Sequence, residues 1–533
     1  MALVRKGVPE WKWKGALGVI FLLSLINGYD ISNVANIQPR LYEALGRIDL
    51  LPWIGLSYSL ANFAILSLAR KVTYFFDMKW IYLTCIVMFM AGAALAGAAP
   101  NMQCVIVGRV IMGFGGAVIQ QTNFSYLAVF ATTSETPKLV GAVSAMWATG
   151  LVVGGPVGSA LAENKHATWR WAFYLNLPLV GVGLLVAFLC MPHHHMQPKV
   201  TGRERIAKFD ILGVACNLVW PFLFATYVTL SGTNWTWTSG EAWALFTVTL
   251  VVGIVWLLSI VFGIFTAKED KAIPAHLLSR RDLLPIFVAS GCAGAAYAIT
   301  IYYAPLFFAF TRGRGAMEQS VRLLPFILVF IVTIMLTGGL LPLIGRYQII
   351  YLLGGASTLA GAAAMVATMD ANVSEAQIMG LEALLGFGLG LHFQHGVGIS
   401  NVINKNDRDR VDGAVLCNMS QMCGIAMMLA IAGSIFQNVG FSLLKDALGA
   451  GSYSDDDIRE ALAGVASPVW RFANEKVRRD AIGAVADVIS REFIIVVASS
   501  ALCLLAAACM KREKLDYGRS KKHAQEQPGT ESP

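Results

Sequence analysis

Hydrophobic residues in this chain are gathered into long blocks that are separated by short polar segments. Each block approaches the ~20 residues that an α-helix needs to cross about 30 Å of hydrocarbon. We therefore predict an all-α membrane protein with about fourteen transmembrane helices. The predicted helices run approximately over 15–36, 51–68, 80–99, 104–129, 139–161, 171–191, 210–230, 241–265, 284–309, 322–343, 348–369, 376–402, 413–437 and 493–510.

The overall composition supports this class. Hydrophobic residues make up 56% of the 533 positions and charged residues only 14%, against roughly a quarter charged in a soluble domain. The net charge of +8 could indicate a nucleic-acid partner, but the basic residues lie between the apolar blocks, so membrane topology explains them better. The nine cysteines form no CxxC pair, which argues against a disulfide framework or a zinc site. We expect no cofactor and no metal.

The polar segments give the helices an orientation. An even number of spans places both termini on one side, and the segments on that side carry 26 of the 41 Lys and Arg residues. The opposite segments carry 14, half of them in the long stretch 438–492. Because positive residues favour the cytoplasmic side, we predict a multi-pass protein with both termini in the cytoplasm. The sequons at Asn234 and Asn372 then fall outside, where glycosylation would occur.

The same segments divide the chain into units. Residues 1–200 are predicted to form a six-helix bundle, 201–282 a connecting pair of helices, and 283–510 a second six-helix bundle. The long outward loop 438–492 should contain a surface helix, because Ser454 and the acidic residues after it form a helix start. The polar tail 511–533 is predicted to be disordered. The first apolar block carries Asn27, Asp30 and Asn33 and no cleavage pattern, so it is interpreted as a retained span.

Ionisable residues deep in the predicted spans are the main functional candidates, because charges in hydrocarbon are costly. Asp30 and Arg109 each lie about six residues from the outer end of their helix, so they should share one depth. Glu382 lies equally deep. These three residues are predicted to bind protons or substrate. The alternative for Asp30 and Arg109 is a purely structural ion pair.

Histidines, aromatics and glycines add further candidates. His392 and His395 are spaced to share one helix face, but without a third ligand a polar lining is favoured over a metal site. Other residues that could line a cavity are Asn27, Asn33, Tyr58, Phe124, Trp147, Tyr302, Tyr303 and Phe308. The fifth block is rich in small residues and contains a proline, which predicts either tight packing or a conformational hinge. Its residues of this kind are Gly141, Gly150, Gly154, Gly155, Pro156 and Gly158.

These residues together resemble the major facilitator superfamily, and within it the fourteen-spanner drug:proton antiporters of bacteria and fungi. The segment WRWAFYLNLP over 169–178 and the segment over 302–326 are similar to that branch. Gly108-Arg109 with Gly113 and Gly115 resembles its helix-four arginine motif, and Asp30 and Pro39 keep its helix-one spacing. The resemblance implies two bundles that rock about a central site, with Arg109 coupling proton movement to transport and Asp30 in the proton or substrate site.

The chain departs from that family in two places. The loop after the second helix usually carries glycines and an aspartate in a Gly-x-Leu-x-Asp-x-x-Gly-Arg-Lys pattern. Here the sequence from Arg70 to Lys79 lacks those glycines and carries a displaced acid at Asp77. The usual charge lock between the bundles is therefore open to question. In the antiporter motif of the fifth helix, the proline falls one position late, at Pro156.

The predicted function is proton-coupled export of lipophilic small molecules, such as drugs, toxins or secondary metabolites, by a multidrug-type efflux pump. The predicted partners are the substrate, protons and the lipid bilayer, without nucleic acid. The protein is expected to be monomeric in the plasma membrane. Two alternatives stay open: import of a nutrient or siderophore on the same scaffold, and a membrane sensor that transports nothing. An enzyme is not expected, because no nucleophile–base set occurs.

Overall fold

The computed structural model describes residues 7–46, 50–132, 134–164, 166–196, 209–263, 271–449, 453–464, 467, 469–472 and 474–516. The linker positions 197–208, which include the predicted boundary at 200, and the tail beyond 516 lie outside the described residues. Within the described part, fourteen long helices correspond to the predicted blocks. They are α1 (Glu10–Leu45), α2 (Leu51–Phe75), α3 (Met78–Ala98), α4 (Met102–Phe130), α5 (Thr136–Glu163), α6 (Trp171–Cys190), α7 (Ile211–Leu230), α8 (Gly240–Phe262), α9 (Leu284–Arg312), α10 (Leu324–Ile344), α11 (Tyr347–Thr368), α12 (Glu375–Ile403), α13 (Asp407–Leu448) and α14 (Glu475–Ala508).

Most of these helices are long and apolar enough to cross a membrane. Among the described residues, thirteen meet that description, and α2 is the long helix outside the thirteen. α6 is interrupted at Leu175, and α12 is interrupted between His392 and His395. In the described ranges, four short helices accompany them: Ala275–Leu278, Ala316–Arg322, Asp455–Ala463 and Val469–Phe472.

Four predicted helix boundaries are wrong by seven or more residues. α1 ends at Leu45 rather than at 36, and α2 ends at Phe75 rather than at 68. α13 continues to Leu448 rather than ending at 437, and α14 begins at Glu475 rather than at 493. Both extensions contain charged residues, so they do not resemble apolar blocks although they continue the same helices. The intervening segment does contain the predicted surface helix, Asp455–Ala463. Its first residue follows Ser454, whose hydroxyl accepts a hydrogen bond from the Asp457 backbone N–H.

The helices pack into two groups that meet along a seam. In the first group α1 packs on α5, and α4 packs on α2 and α3. In the second, α9 packs on α13 and α14, and α12 packs on α10 and α11. The seam is formed by α5 against α10 and by α13 against α2 and α4. We call the end where α1 begins and α14 ends the termini face, and the opposite end the far face.

Helices α7 and α8 lie outside the two groups. α7 packs on α8 and also contacts α2 and α13. α8 is the least buried of the thirteen apolar spans, with only 11% of its most apolar window inside the protein. Its exposed side chains are large and apolar, including Leu250, Val251, Ile254, Leu257 and Val261. A continuous apolar surface of this kind is expected to face lipid.

Candidate functional site

The two charges predicted at equal depth meet in the first group of helices. Arg109 in α4 donates a hydrogen bond from Nη1 to Oδ2 of Asp30 in α1, and both side chains are buried. Asn176 in α6 donates from Nδ2 to the other Asp30 oxygen at 3.2 Å. Arg109 also donates from Nε to the Ile54 carbonyl at 3.3 Å, and its guanidinium lies 4.3 Å from the centre of the Tyr58 ring. The ionised carboxylate is thus compensated on both oxygens.

The other predicted polar residues of α1 bind neighbouring helices. Asn27 accepts a hydrogen bond at 3.3 Å from the indole Nε1 of Trp147 in α5. Asn33 donates from Nδ2 to the Ala172 carbonyl at 2.8 Å. Asn27 therefore connects the helix of Asp30 to an aromatic ring at the seam, whereas Asn33 connects it to α6.

An aromatic cluster occupies the seam between the two groups. The Trp147 ring lies 5.1 Å from Tyr297 of α9 and 5.7 Å, nearly parallel, from Phe393 of α12. Phe393 in turn makes an edge contact with Phe330 of α10 at 5.2 Å. Trp147 was a predicted lining residue, while Tyr297 and Phe393 were not singled out in the sequence. These contacts connect four helices at one point of the seam.

Side-chain amides and a hydroxyl bridge the same seam. Ser144 of α5 donates to the side-chain oxygen of Gln394, and Gln394 donates to Gln421 of α13 at 3.4 Å. Asn418 of α13 donates to the side-chain oxygen of Gln121 in α4 at 3.1 Å. This network was not predicted from the sequence, because Asn27 and Asn33 were the only buried amides selected there. The available signal was the presence of uncharged amides inside apolar blocks, since a buried amide needs a partner.

The remaining predicted ionisable residues lie elsewhere, in the second group. Glu382 is fully buried, and neither carboxyl oxygen has a hydrogen-bond partner among the described residues. His392 Nδ1 donates to the Gly388 carbonyl at 2.9 Å, and His395 is buried without a side-chain hydrogen bond in the described part. The helix break at 393–394 separates the two histidines, so the assumption that they share one continuous helical face is wrong.

The predicted aromatic residues divide between the seam and the interior of each group. The Tyr302 hydroxyl of α9 approaches Gly55 of α2, where an added Cβ would lie 2.8 Å from it. Tyr303 points away into the second group, where its ring lies 5.8 Å from Phe436. Phe124 and Phe308 are fully buried.

The glycines of α5 permit a very close approach to α1. A Cβ added at Gly150 would lie 2.0 Å from the Leu25 carbonyl oxygen, and one at Gly154 would lie 2.4 Å from that of Tyr29. Gly158 comes similarly close to the Asn33 side chain. Gly141 instead faces Gly338 of α10 across the seam, at 3.3 Å from its added Cβ. Gly155 is buried, and the helix continues through Pro156 to Glu163.

An ion pair joins the two groups at the termini face. Arg70 of α2 donates from Nε and Nη2 to both oxygens of Asp412 in α13, at 2.6 and 2.7 Å, and both side chains are buried. Nη1 of Arg70 also donates to the Lys271 and Ala272 carbonyls, at 2.6 and 3.2 Å. Arg70 lies in the segment that departs from the family pattern. The structure thus contains a charge lock between the groups in spite of that departure.

The side chains of His276 and Asp409 lie beside this ion pair. His276 Nε2 is 3.1 Å from an oxygen of Asp409. Ligand atoms of His276, Asp409 and Asp412 all lie within 4.8 Å of one another. Because Arg70 already occupies both Asp412 oxygens, this cluster is better described as an extension of the ion pair than as a metal site.

Asp77 holds the turn between α2 and α3. Its carboxylate accepts hydrogen bonds from the Lys79 backbone N–H at 3.0 Å and from the His194 backbone N–H at 3.2 Å. The His193 ring nitrogen Nδ1 lies 2.5 Å from it. Burial alone would raise the pKa of Asp77, but these hydrogen bonds outweigh burial and lower it. The segment 193–195 is therefore attached to the start of α3.

An apolar crevice lies on the lateral surface of the second group. It has a volume of about 700 Å³ and is bounded by α2, α8, α9, α13 and α14. Its lining includes Trp256, Phe287, Met419, Cys423 and Leu502. Leu502 is half exposed, which places an opening of the crevice on the side of the protein that would face lipid. A volume of this size is typical of small-molecule sites.

The two predicted glycosylation residues are accessible. Asn234 lies exposed in the turn between α7 and α8, and Asn372 lies exposed between α11 and α12. Both turns are at the far face, opposite the termini.

Comparison with known proteins agrees with this architecture. A family model described as Major Facilitator Superfamily matches residues 20–431. Among curated proteins, the chain is 31% identical to the MFS-type transporter patC of Penicillium expansum, over 96% of this chain and 93% of that protein. It is 33% identical to the efflux pump DEP3 of Alternaria brassicicola, over 96% and 89% of the two chains.

Solved structures show the same fold at low sequence identity. The human organic anion transporter MFSD10 aligns with a TM-score of 0.55 and 12% identity, over 93% of this chain and 99% of that one. A bacterial homologue of the lysosomal transporter Spinster aligns with a TM-score of 0.57 and 14% identity, over 94% and 98% of the two chains.

Proposed function

Since this chain belongs to the major facilitator superfamily, we propose that it is a proton-coupled exporter of lipophilic small molecules that works by alternating access. Membership makes it a membrane transporter and implies a non-enzymatic role. Coupling to protons, the outward direction and the class of substrate are the parts that we propose.

The observation that carries the proton coupling is the buried pair of Asp30 and Arg109. A carboxylate that is ionised inside the membrane costs free energy unless it is paired. Protonation of Asp30 would release Arg109, which also binds the Ile54 carbonyl of α2. Because α2 contacts α13 across the seam, a change at this pair can reach the contact between the two groups. The proton-binding role therefore falls to Asp30, with Arg109 as its conformational partner.

Two features support a lipophilic substrate. The seam around Trp147 is lined by aromatic rings and uncharged amides, which suit an uncharged or delocalised molecule. The lateral crevice of about 700 Å³ opens toward the lipid and is apolar. The outward direction is supported by relatives named efflux pumps, including patC of Aspergillus clavatus at 32% identity. We place the protein in the plasma membrane as a monomer with cytoplasmic termini.

The test is transport of a panel of lipophilic dyes by cells that express the protein, with and without a proton uncoupler. Expression should lower dye accumulation, and the uncoupler should abolish that effect. The variant Asp30→Asn should remove uncoupler-sensitive efflux by at least ~10-fold while reaching the membrane in normal amount, because the neutral amide cannot bind a proton.

Asp487→Asn is a matched control, since it removes the same kind of charge at an exposed site, where Asp487 pairs with Arg491. Dye accumulation that rises with expression would contradict export. Efflux that ignores the uncoupler would contradict proton coupling, and normal efflux by Asp30→Asn would remove Asp30 from the mechanism.

A further inference from the structure

A second acidic residue is buried in the second group of helices and was not singled out in the sequence. Glu492 lies in α14 with 0% of its surface exposed. Neither of its carboxyl oxygens has a hydrogen-bond partner among the described residues. In the sequence it stands immediately before the apolar block 493–510, so it resembled the last residue of a polar loop. The structure shows instead that α14 begins 17 residues earlier, at Glu475.

The surroundings of Glu492 contain no compensating cation in the described part of the chain. The titratable group that faces it is Tyr303 of α9. This tyrosine is close enough to interact electrostatically with a charge on Glu492. Tyr303 packs on Phe436 of α13, and the neighbouring Ser490 donates to the Val366 carbonyl of α11 at 3.0 Å. α9 and α13 thus present aromatic rings on the side of Glu492, whereas Ser490 faces α11 from a different side of the helix. An unpaired carboxylate in such a place is unstable, so the residue holds its proton here.

Glu492 and Asp30 therefore have opposite surroundings within one structure. Asp30 accepts hydrogen bonds on both oxygens from a guanidinium and an amide, which stabilises its ionised form. Glu492 has neither, which stabilises its neutral form. Each acid lies in a different group of helices, on α1 and on α14. In this conformation the surroundings thus favour a proton on Glu492 over one on Asp30.

We propose that Glu492 is a second proton-binding residue of the transport cycle. It holds a proton in the conformation described here and releases it in a conformation of the cycle that admits water to α14. In that step the carboxyl O–H bond breaks, the electron pair stays on the carboxylate, and the proton passes to water. This inference rests on the proposed proton coupling but concerns a different residue and a different group of helices.

The first experiment measures protonation directly, without transport. Infrared difference spectra of the purified wild-type protein against Glu492→Gln at neutral pH should contain the carbonyl band of one protonated carboxylic acid. Glu382→Gln serves as the reference for a buried acid at another site. A wild-type spectrum that shows only carboxylate bands for Glu492 would overturn the proposal, whatever the protein transports.

The second experiment tests release. Purified protein in weakly buffered detergent solution is mixed with rhodamine 6G, and the protons released per bound dye are measured. Glu492→Gln should release about one proton fewer than the wild type and bind dye with less pH dependence, while Glu492→Asp should restore part of both. Equal proton release by the wild type and Glu492→Gln would limit Glu492 to a structural role.

The two experiments separate the two proposals. If the wild type transports without sensitivity to the uncoupler, the proposed function fails even when Glu492 is protonated in the infrared spectrum. If transport is uncoupler-sensitive and proton release is unchanged in Glu492→Gln, only the role of Glu492 fails.

Discussion

The buried pair of Asp30 and Arg109 shows how far single residues can be understood from sequence. Equal depth in two helices was enough to place the two side chains near each other, because helical rise per residue is constant. The amide of Asn176 on the second Asp30 oxygen could not be derived in this way, since it depends on the rotation of α6. The depth of a residue in the membrane follows from its position along its own helix. The side of the helix on which it points depends on how the neighbouring helices pack.

Removal of the cation from this pair should be strongly destabilising. Arg109→Gln leaves Asp30 ionised and buried with only the Asn176 amide, and we expect a loss of about 3–5 kcal/mol in the free energy of unfolding. Asp30→Asn in the same chain removes the uncompensated charge and should recover much of that loss. Denaturation followed by intrinsic fluorescence in detergent would measure both. Additive effects of the two substitutions would show that the residues do not interact.

Asp77 gives a prediction about pH. Its folded-state pKa is lowered by the hydrogen bonds from His193 and from two backbone N–H groups. The stability that it contributes is therefore fully present above the ordinary carboxyl pKa of about 4 and is lost as the pH falls through the lowered folded value. Asp77→Asn should be less stable than the wild type at neutral pH, and the difference should shrink in acid. Melting temperatures of both proteins between neutral and acidic pH would test this.

At the scale of the elements, all fourteen apolar blocks form helices, but α1, α2, α13 and α14 extend seven or more residues beyond a predicted boundary. The extensions of α13 and α14 carry charged residues at the far face, where hydrophobicity no longer marks the helix. This error hid Glu492. The break in α12 between His392 and His395 was also not predicted, although Gly390 and Gly396 flank it. Both features depend on packing between helices rather than on the local sequence.

The contact between α1 and α5 should tolerate no side chain. Gly154→Ala places a methyl group 2.4 Å from the Tyr29 carbonyl oxygen, so the two backbones must separate. We expect a destabilisation of about 1–3 kcal/mol and a loss of transport. Gly18→Ala is a suitable control in the same helix pair, because nothing lies within 4 Å of its added Cβ. Thermal unfolding and dye efflux should change in Gly154→Ala and stay unchanged in Gly18→Ala.

At the scale of the whole molecule, the ion pair of Arg70 and Asp412 joins residues 342 positions apart. No pattern in the sequence predicted it, because the pairing requires the two groups of helices to be assembled first. The departure of Arg70 to Lys79 from the family pattern even suggested that the ion pair between the two groups was missing. In the structure, an arginine from the altered segment reaches an acid on the opposite group and two carbonyls of the segment that leads into α9.

Loss of this lock should favour opening at the termini face. Asp412→Asn leaves Arg70 without its anionic partner, and hydrogen exchange should rise by at least ~10-fold at the end of α2 and the start of α13. The charge reversal Arg70→Asp with Asp412→Arg should restore part of the protection. Arg491→Gln is the control, because its pair with Asp487 is exposed and pairs of that kind contribute little. Unchanged exchange in Asp412→Asn would show that other seam contacts keep this face closed.

The glycine contact between α1 and α5 also has an evolutionary consequence. Two backbones that touch without intervening side chains leave almost no freedom for substitution, so α1 and α5 are expected to diverge slowly together. The opposite wall of the seam is built from side chains of α9, α10 and α12, which can be exchanged without moving a backbone. Related pumps with different substrates should therefore differ in sequence mainly at the seam residues of α9, α10 and α12. Directed evolution of this protein toward a new compound would best begin at Tyr297, Phe330 and Phe393.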